Sequence, residues 1–267
     1  MSNGAARLRA AFPADRAALI PYVMGGYPTV AASLDYARAL AGHADILELG
    51  IPFSDPLADG PTIQAAGQRA LESGTRPGDV IDIAGALRGG PPVVLMTYVT
   101  LILAAGPDAF FARASDADVA GVIIPDLPLE EGDAIRAAAA AAGVAIVPLA
   151  ALTTTDERLA AIGARADAFT YLVSVAGVTG GEVAVDDRLR GFVDRARRAI
   201  PGALAVGFGI RTPAQARAIG EFADGVVIAS HLVRMIEEAP THAAAVAALD
   251  AYGAELAGAL AGATRAS

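Results

Sequence analysis

Eight short apolar runs of β-strand character alternate with alanine-rich segments of helical period, and this alternation constrains the fold more than any other feature. The runs cover residues 18–26, 45–52, 92–98, 121–126, 145–151, 168–174, 204–209 and 225–230. The helix candidates between them include residues 29–42, 129–142, 189–200 and 212–222. Such alternation is typical of βα units on a parallel sheet. Eight units predict an α/β fold of the (β/α)8 TIM-barrel type.

The length of the chain agrees with a closed barrel. Barrels of this kind commonly use about 250 residues as one domain, and this chain has 267. We therefore expect one barrel domain over residues 1–267, with additional short helices. The structural alternative is a doubly wound open sheet, which is disfavoured because no Gly-x-Gly-x-x-Gly turn follows the first apolar run.

A high apolar content, 54% of the residues, raises the question of a membrane segment. The longest uncharged stretch spans residues 89–107, but its apolar part, 93–105, is shorter than the roughly 20 residues that a spanning helix needs. We interpret it as a buried strand with its loop. The first residues lack the long apolar segment of a secretory signal, and cysteine is absent. We expect a cytoplasmic protein with no membrane partner.

Charge and residue usage exclude several kinds of chemistry. The formal charge of −9 disfavours a general attraction to nucleic acid. All 20 basic residues are arginine, so no lysine is available for a Schiff base and no cysteine for thiol catalysis. The three histidines, His43, His231 and His242, do not have the short spacing of a metal pair. We expect no metal site and no organic cofactor.

Glu48 is the strongest candidate for a catalytic group. It interrupts an apolar run in which strand alternation places Leu47 and Leu49 on the opposite face, so Glu48 should point into the barrel. Burial disfavours the carboxylate form and would raise its pKa toward the range of a general acid and base. The alternative is a structural glutamate held by an arginine or by backbone donors.

The remaining candidates lie where barrels place their chemistry, at the carboxyl ends of strands and in the loops that follow. Residues 53–62 form a turn-rich loop with Asp55 and Asp59, each of which could equally serve a turn or a helix cap. Asp126 ends the fourth run and ranks below Glu48. The aromatic candidates for substrate contact are Tyr22, Tyr98, Tyr171 and Phe208, although each taken alone is typical of a core residue.

Three loops in the last third of the chain favour a phosphorylated substrate. Thr179 and Gly180 lie in a glycine-bearing loop, Gly209 ends the seventh run, and Ala229 and Ser230 end the eighth. Glycine lets a phosphate approach backbone N–H groups, and a helix that begins near Ser230 would direct its positive end at the anion. Each loop alone could be no more than a tight turn.

The sequence resembles the tryptophan synthase alpha chain family. The resemblance is carried by residues 47–64, LELGIPFSDPLADGPTIQ, and by LMTY at 95–98, IPDLP at 124–128, GVTG at 177–180 and GFGI at 207–210. These motifs are spread over almost the whole chain. The resemblance implies a lyase that splits indole-3-glycerol phosphate into indole and glyceraldehyde 3-phosphate, the last part of tryptophan biosynthesis.

The resemblance also implies roles for single residues. Glu48 would give and take the proton, and Asp59 would bond the indole nitrogen. The family places the residues around the indole or the phosphate at positions that match Tyr22, Tyr171, Thr179, Gly180, Phe208, Gly209, Ala229 and Ser230. The reaction needs an electron sink, and without lysine or a metal that sink is the indole ring itself.

The resemblance implies a partner as well. Family members dock a beta chain, which carries pyridoxal phosphate, over the barrel mouth in an α2β2 heterotetramer. Here the expected contacts are Pro52, Asp55 and the loop after Tyr98. Several positions depart from the family pattern: Tyr27 replaces Asp, residues 99–101 replace an aromatic-Asn-Pro segment, residues 175–176 replace Arg-Ser or Arg-Thr, and Ala229 replaces Gly.

Three other functions compete with this interpretation. The departures after Tyr98 keep open a stand-alone indole-3-glycerol-phosphate lyase that needs no beta chain. A phosphosugar isomerase or epimerase on the same fold would require a lysine or a histidine-rich metal site, which the sequence lacks. A subunit that only activates a beta chain would not need both Glu48 and Asp59.

Overall fold

The computed structural model describes residues 3–174, 185–207 and 209–263. Within these ranges, neighbouring strands pair in parallel in the order β5-β4-β3-β2-β1-β9-β8-β7-β6. The strands are β1 (Ala18–Met24), β2 (Leu47–Gly50), β3 (Val93–Met96), β4 (Val119–Ile123), β5 (Ala145–Val147), β6 (Leu149–Ala151), β7 (Phe169–Val173), β8 (Ala203–Gly207) and β9 (Gly225–Ile228). Each predicted run overlaps at least one strand, although β4 and β8 begin two residues and one residue earlier than predicted. The fold is the predicted barrel.

The predicted fifth strand is divided in two at Pro148. Proline has no N–H to donate to a neighbouring strand, so the ladder changes partner there. β5 pairs with β4, whereas β6 pairs with β7. The Pro148 carbonyl accepts the N–H of Tyr171 at 2.9 Å. One short segment therefore joins both edges of the sheet into a nearly closed barrel, and the open-sheet alternative is wrong.

Helices surround the strands. They are α1 (Gly4–Ala10), α2 (Val30–Ala41), α3 (Pro61–Glu72), α4 (Pro77–Ala86), α5 (Val99–Ala105), α6 (Pro107–Asp116), α7 (Asp133–Ala142), α8 (Asp156–Gly163), α9 (Asp187–Ala199), α10 (Pro213–Gly220), α11 (Ser230–Glu238) and α12 (His242–Ala261). Helix α1 packs against β4, and Arg7 on it pairs with Asp118 at 2.7 Å.

Side-chain caps explain where the predicted helices begin. Thr29 accepts the N–H of Ala32 and starts α2, as the candidate at 29–42 indicated. Helix α9 begins two residues before its prediction because the Asp186 carboxylate accepts the N–H of Leu189. Helix α7 begins four residues after its prediction, because the chain first turns at Pro128, whose carbonyl accepts the N–H of Glu131.

The uncharged segment 93–105 is a strand followed by a helix, so the predicted loop is wrong. β3 ends at Met96, and α5 begins at Val99, whose N–H donates to the Asp126 carboxylate at 2.9 Å. A second apolar segment, α12, is long and apolar enough to cross a membrane by length and composition alone. One of its faces packs against α2, α10 and α11, as an outer helix of a soluble barrel does.

Two apolar layers position the site. The barrel interior holds Ile46 and Val94, while Leu47 and Leu49 pack between the strands and the helices. This alternation turns Glu48 inward, as the sequence predicted. The register pairs Tyr22 with Glu48, so both residues lie at the same level of the barrel.

Candidate active site

A small cavity lies at the carboxyl ends of the strands. It is lined by Tyr22, Glu48, Asp59, Ile63, Met96, Tyr171, Gly209, Ala229 and Ser230. Seven of these nine residues are among those that the sequence predicted. Glu48 and Asp59 are the two acidic residues of this lining, and the remaining wall is largely apolar.

Glu48 is buried without a compensating partner. Its side chain is 2% exposed, and its Oε2 atom has no hydrogen-bond partner among the described residues. Burial, and secondarily the charge of Asp59, raises its pKa from 4.5 to about 8. No arginine of the described residues forms an ion pair with it, which disfavours the structural alternative. At neutral pH the group is therefore mainly a protonated acid.

Asp59 follows the turn that leads into α3. Its N–H donates to the Pro56 carbonyl at 3.0 Å, and its own carbonyl accepts from Gln64 Nε2 at 2.8 Å. The N-cap of α3 is Gly60, so the carboxylate of Asp59 is not used as the cap. Burial raises its pKa to about 6, against the opposing effect of a hydrogen bond from Tyr98. Asp59 is thus mostly ionised at pH 7 while Glu48 is mostly protonated.

Tyr98 holds the loop that carries Asp59. Its hydroxyl accepts the N–H of Ala58 at 3.2 Å and donates to the Asp59 carboxylate. Phe53, at the start of the loop, stacks on the Tyr98 ring with the centroids 4.9 Å apart. Tyr98 therefore holds the Asp59 carboxylate and its loop in position through these hydrogen bonds. Asp55, the other acidic residue of the loop, is exposed; its carboxylate accepts from Ser54 Oγ at 2.8 Å, and its carbonyl accepts the N–H of Leu57 at 2.9 Å.

Two tyrosines form the inner wall, and glycines on neighbouring strands make room for them. A Cβ atom on Gly50 would lie 1.9 Å from the Tyr22 hydroxyl, and one on Gly207 would lie 2.1 Å from the Tyr171 hydroxyl. Both rings are buried. Burial, together with the charges of Asp59 and Glu48, raises the pKa of each phenol well above 10. Both therefore remain neutral hydrogen-bond donors.

The far end of the cavity has the form of an anion site. Gly209 has φ +80°, a conformation that favours glycine. Ala229 precedes α11, and the buried Ser230 is its first residue. The positive end of α11 therefore faces the cavity. Thr179, Gly180 and Phe208, the other predicted residues of this end, lie outside the described residues.

Some candidates lie elsewhere, and two lining residues were not predicted. Asp126 is exposed, does not line the cavity, and bonds the first N–H of α5. His231 packs edge-on against Tyr252 with the centroids 5.1 Å apart. Met96 was missed although it continues the inward alternation of β3, and Ile63 was missed because it enters from the first turn of α3. Residues 3–174, 185–207 and 209–263 contain no group of three acidic, histidine or cysteine side chains that could hold a metal.

Fold and site together define an acid–base enzyme of the (β/α)8-barrel class. Its two buried carboxyl groups have different pKa values, about 8 for Glu48 and about 6 for Asp59. The sequence model of the family described as tryptophan synthase alpha chain matches residues 8–260. The chain belongs to the tryptophan synthase alpha chain family. It is a lyase that cleaves indole-3-glycerol phosphate in tryptophan biosynthesis.

Several members of this family are similar to this chain over most of their length. The tryptophan synthase alpha chain of Carboxydothermus hydrogenoformans is 44% identical, over 82% of this chain and 84% of its own. That of Gluconacetobacter diazotrophicus is 45% identical, over 89% and 88%. Among solved structures, tryptophan synthase of Mycobacterium tuberculosis has a TM-score of 0.87 at 35% identity, over 97% and 98% of the two chains. The alpha subunit from Legionella pneumophila has a TM-score of 0.88 at 32% identity, over 97% and 99%.

Proposed function

We propose that Glu48 and Asp59 together carry out the retro-aldol cleavage of indole-3-glycerol phosphate to indole and glyceraldehyde 3-phosphate. The observation that carries the proposal is the unpartnered, buried Oε2 atom of Glu48 in the wall of the cavity. A buried polar atom without a partner is costly in a folded protein. A substrate that accepts the Glu48 proton removes that cost during the reaction.

The protonation states give each carboxyl group a different role. Glu48, with a pKa near 8, protonates carbon 3 of the indole and generates an indolenine cation. Asp59, with a pKa near 6, is the carboxylate that stabilises the positive charge at the ring nitrogen. Glu48, now ionised, takes the proton of the substrate hydroxyl on the glycerol carbon that is bonded to the indole. The carbon–carbon bond breaks, its electron pair restores the indole ring, and Glu48 ends the cycle protonated.

This mechanism uses neither a metal nor an organic cofactor in the alpha chain. The protonated indole serves as the electron sink, the role that a lysine imine has in other aldol cleavages. The chain has no lysine to form such an imine. Pyridoxal phosphate belongs, on this proposal, to the partner beta chain alone.

The cavity orients the substrate by its two unlike ends. The indole ring lies against the apolar wall that Ile63 and Met96 form beside the tyrosines. The phosphate lies at Gly209 and Ser230, against the positive end of α11. Thr179, Gly180 and Phe208 complete the predicted binding set.

The experiment is a coupled assay for glyceraldehyde 3-phosphate with the Glu48→Gln variant. Glutamine keeps the size of the side chain but can neither donate nor accept the transferred proton, so we expect at least a hundredfold loss of kcat. The matched control is Glu72→Gln at the exposed end of α3, which should retain full activity. Retention of more than a few per cent of activity by Glu48→Gln would contradict the assigned role.

We further propose a cytoplasmic α2β2 assembly with a beta chain, which receives the hydrophobic product directly. Leu57 in the loop after β2 and Leu103 on α5 are 84% and 58% exposed. Leu57 shares its loop with Asp55, and Leu103 lies on the helix that follows Tyr98. Exposed large apolar side chains are typical of a protein interface. Ordering of these loops by the partner would fix Asp59 and raise the rate.

The alternative is a stand-alone lyase, which the unusual Thr100 and Leu101 favour. The two are separated by adding the cognate beta chain to the purified alpha chain in the same assay. A rate increase of tenfold or more supports the assembly. Full activity of the isolated chain with no stimulation supports the stand-alone lyase.

A further inference from the structure

Among the described residues that line the cavity, none has a positive side chain to balance a phosphate dianion. The described lining combines two carboxyl groups with tyrosine, apolar residues, glycine and serine. The whole chain is also negative, at −9. Apart from the positive end of α11, a dianion that approaches this mouth therefore meets net negative charge, which a cation close behind the wall would offset.

Arg234 is such a cation. It lies one turn after Ser230 on α11, and its guanidinium reaches back so that Nη2 is 3.4 Å from Ser230 Oγ. Its Nε atom is 3.3 Å from the Ser230 carbonyl. No carboxylate in the described ranges lies within the 4.0 Å of an ion pair. Glu238, four residues further along α11, forms no ion pair with this guanidinium in the described structure.

The position of this charge is unfavourable in the absence of a ligand. Helix N-termini carry a partial positive charge, and cations are stabilised at the opposite end. Helical side chains point toward the N-terminus, so the guanidinium of Arg234 lies beside the first turn of α11. Burial, and then the charge of Arg234, lower the pKa of the adjacent His231, whereas the charge of Glu238 opposes this shift and that of Arg211 adds to it. Arg234 therefore adds its charge to the positive end of the helix dipole.

We infer that Arg234 supplies the positive charge that binds the substrate phosphate, acting from directly behind Ser230. The inference rests on the proposed placement of the phosphate at Gly209 and Ser230. Ser230 lines the cavity and its hydroxyl oxygen is 3.4 Å from the guanidinium, so one phosphate oxygen bonded to that hydroxyl comes within a few ångströms of the charge. Arg234 thus determines the affinity for the phosphorylated substrate, and the proton transfers remain with Glu48 and Asp59.

The test compares Arg234→Gln, Arg234→Lys and the wild type. For Arg234→Gln we expect the KM for indole-3-glycerol phosphate and the inhibition constant of inorganic phosphate to rise at least about tenfold, with kcat within about threefold. Arg234→Lys keeps the charge and should restore both constants to within about threefold. Indole, which has no charge, should bind all three proteins equally. Arg217→Gln on the neighbouring α10 removes the same charge from an exposed site and should change nothing.

The outcomes separate this inference from the proposed function. If Arg234→Gln binds inorganic phosphate as tightly as the wild type, the inference is overturned, while cleavage by the wild type still supports the proposed reaction. Equal losses in Arg234→Gln and Arg234→Lys, accompanied by weaker indole binding, would assign Arg234 a purely structural role and also overturn it. If the wild type binds phosphate but does not cleave the substrate, the proposed reaction fails and the phosphate measurements still decide on Arg234.

Discussion

The glutamate in the barrel lowers the stability of the protein, and replacing it should show by how much. Burial, with the nearby charge of Asp59, raises the pKa of Glu48 from 4.5 to about 8, so the folded state binds the proton more tightly than the unfolded chain. Stability then falls as the pH rises from about 4.5 to about 8. At about 1.4 kcal/mol per pKa unit, the loss is about 1 kcal/mol at pH 5 and about 4 kcal/mol at pH 8.

Glu48→Gln removes this loss because an amide does not ionise. We expect the variant to gain about 3 kcal/mol of unfolding free energy over the wild type between pH 5 and pH 8. Urea denaturation followed by circular dichroism at four pH values measures the difference. Glu72→Gln, at an exposed position, is the control and should show no such trend. A Glu48→Gln difference that is the same at every pH would refute the burial argument for this side chain.

Three further predictions concern the reaction. Asp59→Asn keeps the shape but removes the charge opposite the ring nitrogen, so kcat should fall about 100-fold to 1,000-fold; unchanged turnover would leave Asp59 a turn residue. Activity should require Asp59 to be ionised and Glu48 to be protonated, so the pH profile of kcat/KM should have limbs near pH 6 and pH 8. Tyr98→Phe removes a hydrogen bond that lowers the pKa of Asp59 and should therefore move the acidic limb to higher pH. Prolonged dialysis against a chelator should leave the rate unchanged, whereas a loss that zinc or magnesium restores would contradict the metal-free mechanism.

Residues within strands could be placed from the sequence because their surroundings are periodic. Glu48 sits between Leu47 and Leu49 in a strand covered on both faces, so alternation alone directs it inward. Asp59 lies in a loop, where the sequence has no such periodic pattern. A turn aspartate looks the same whether it caps a helix or faces a cavity, and only the longer resemblance around it indicated the role that we propose.

Features set by closure of the barrel could not be predicted in the same way. The run 145–151 is continuous in apolar character, and its division at Pro148 follows from the two different strands that its halves must reach. Ile63 enters the cavity from a helix rather than a strand, which no local pattern indicates. The exposed Asp126 shows the reverse error, because a strand-end position that suits substrate binding is used to hold α5.

The glycine opposite each wall tyrosine limits the routes by which this cavity can evolve. Any side chain at Gly50 would overlap the hydroxyl of Tyr22, and the same relation links Gly207 to Tyr171. Mutations at the two members of a pair are therefore not independent: a larger residue on the glycine strand becomes tolerable only after the tyrosine has been shortened. In any lineage that enlarges the residue at Gly50 or Gly207, the tyrosine opposite it therefore has to be shortened first.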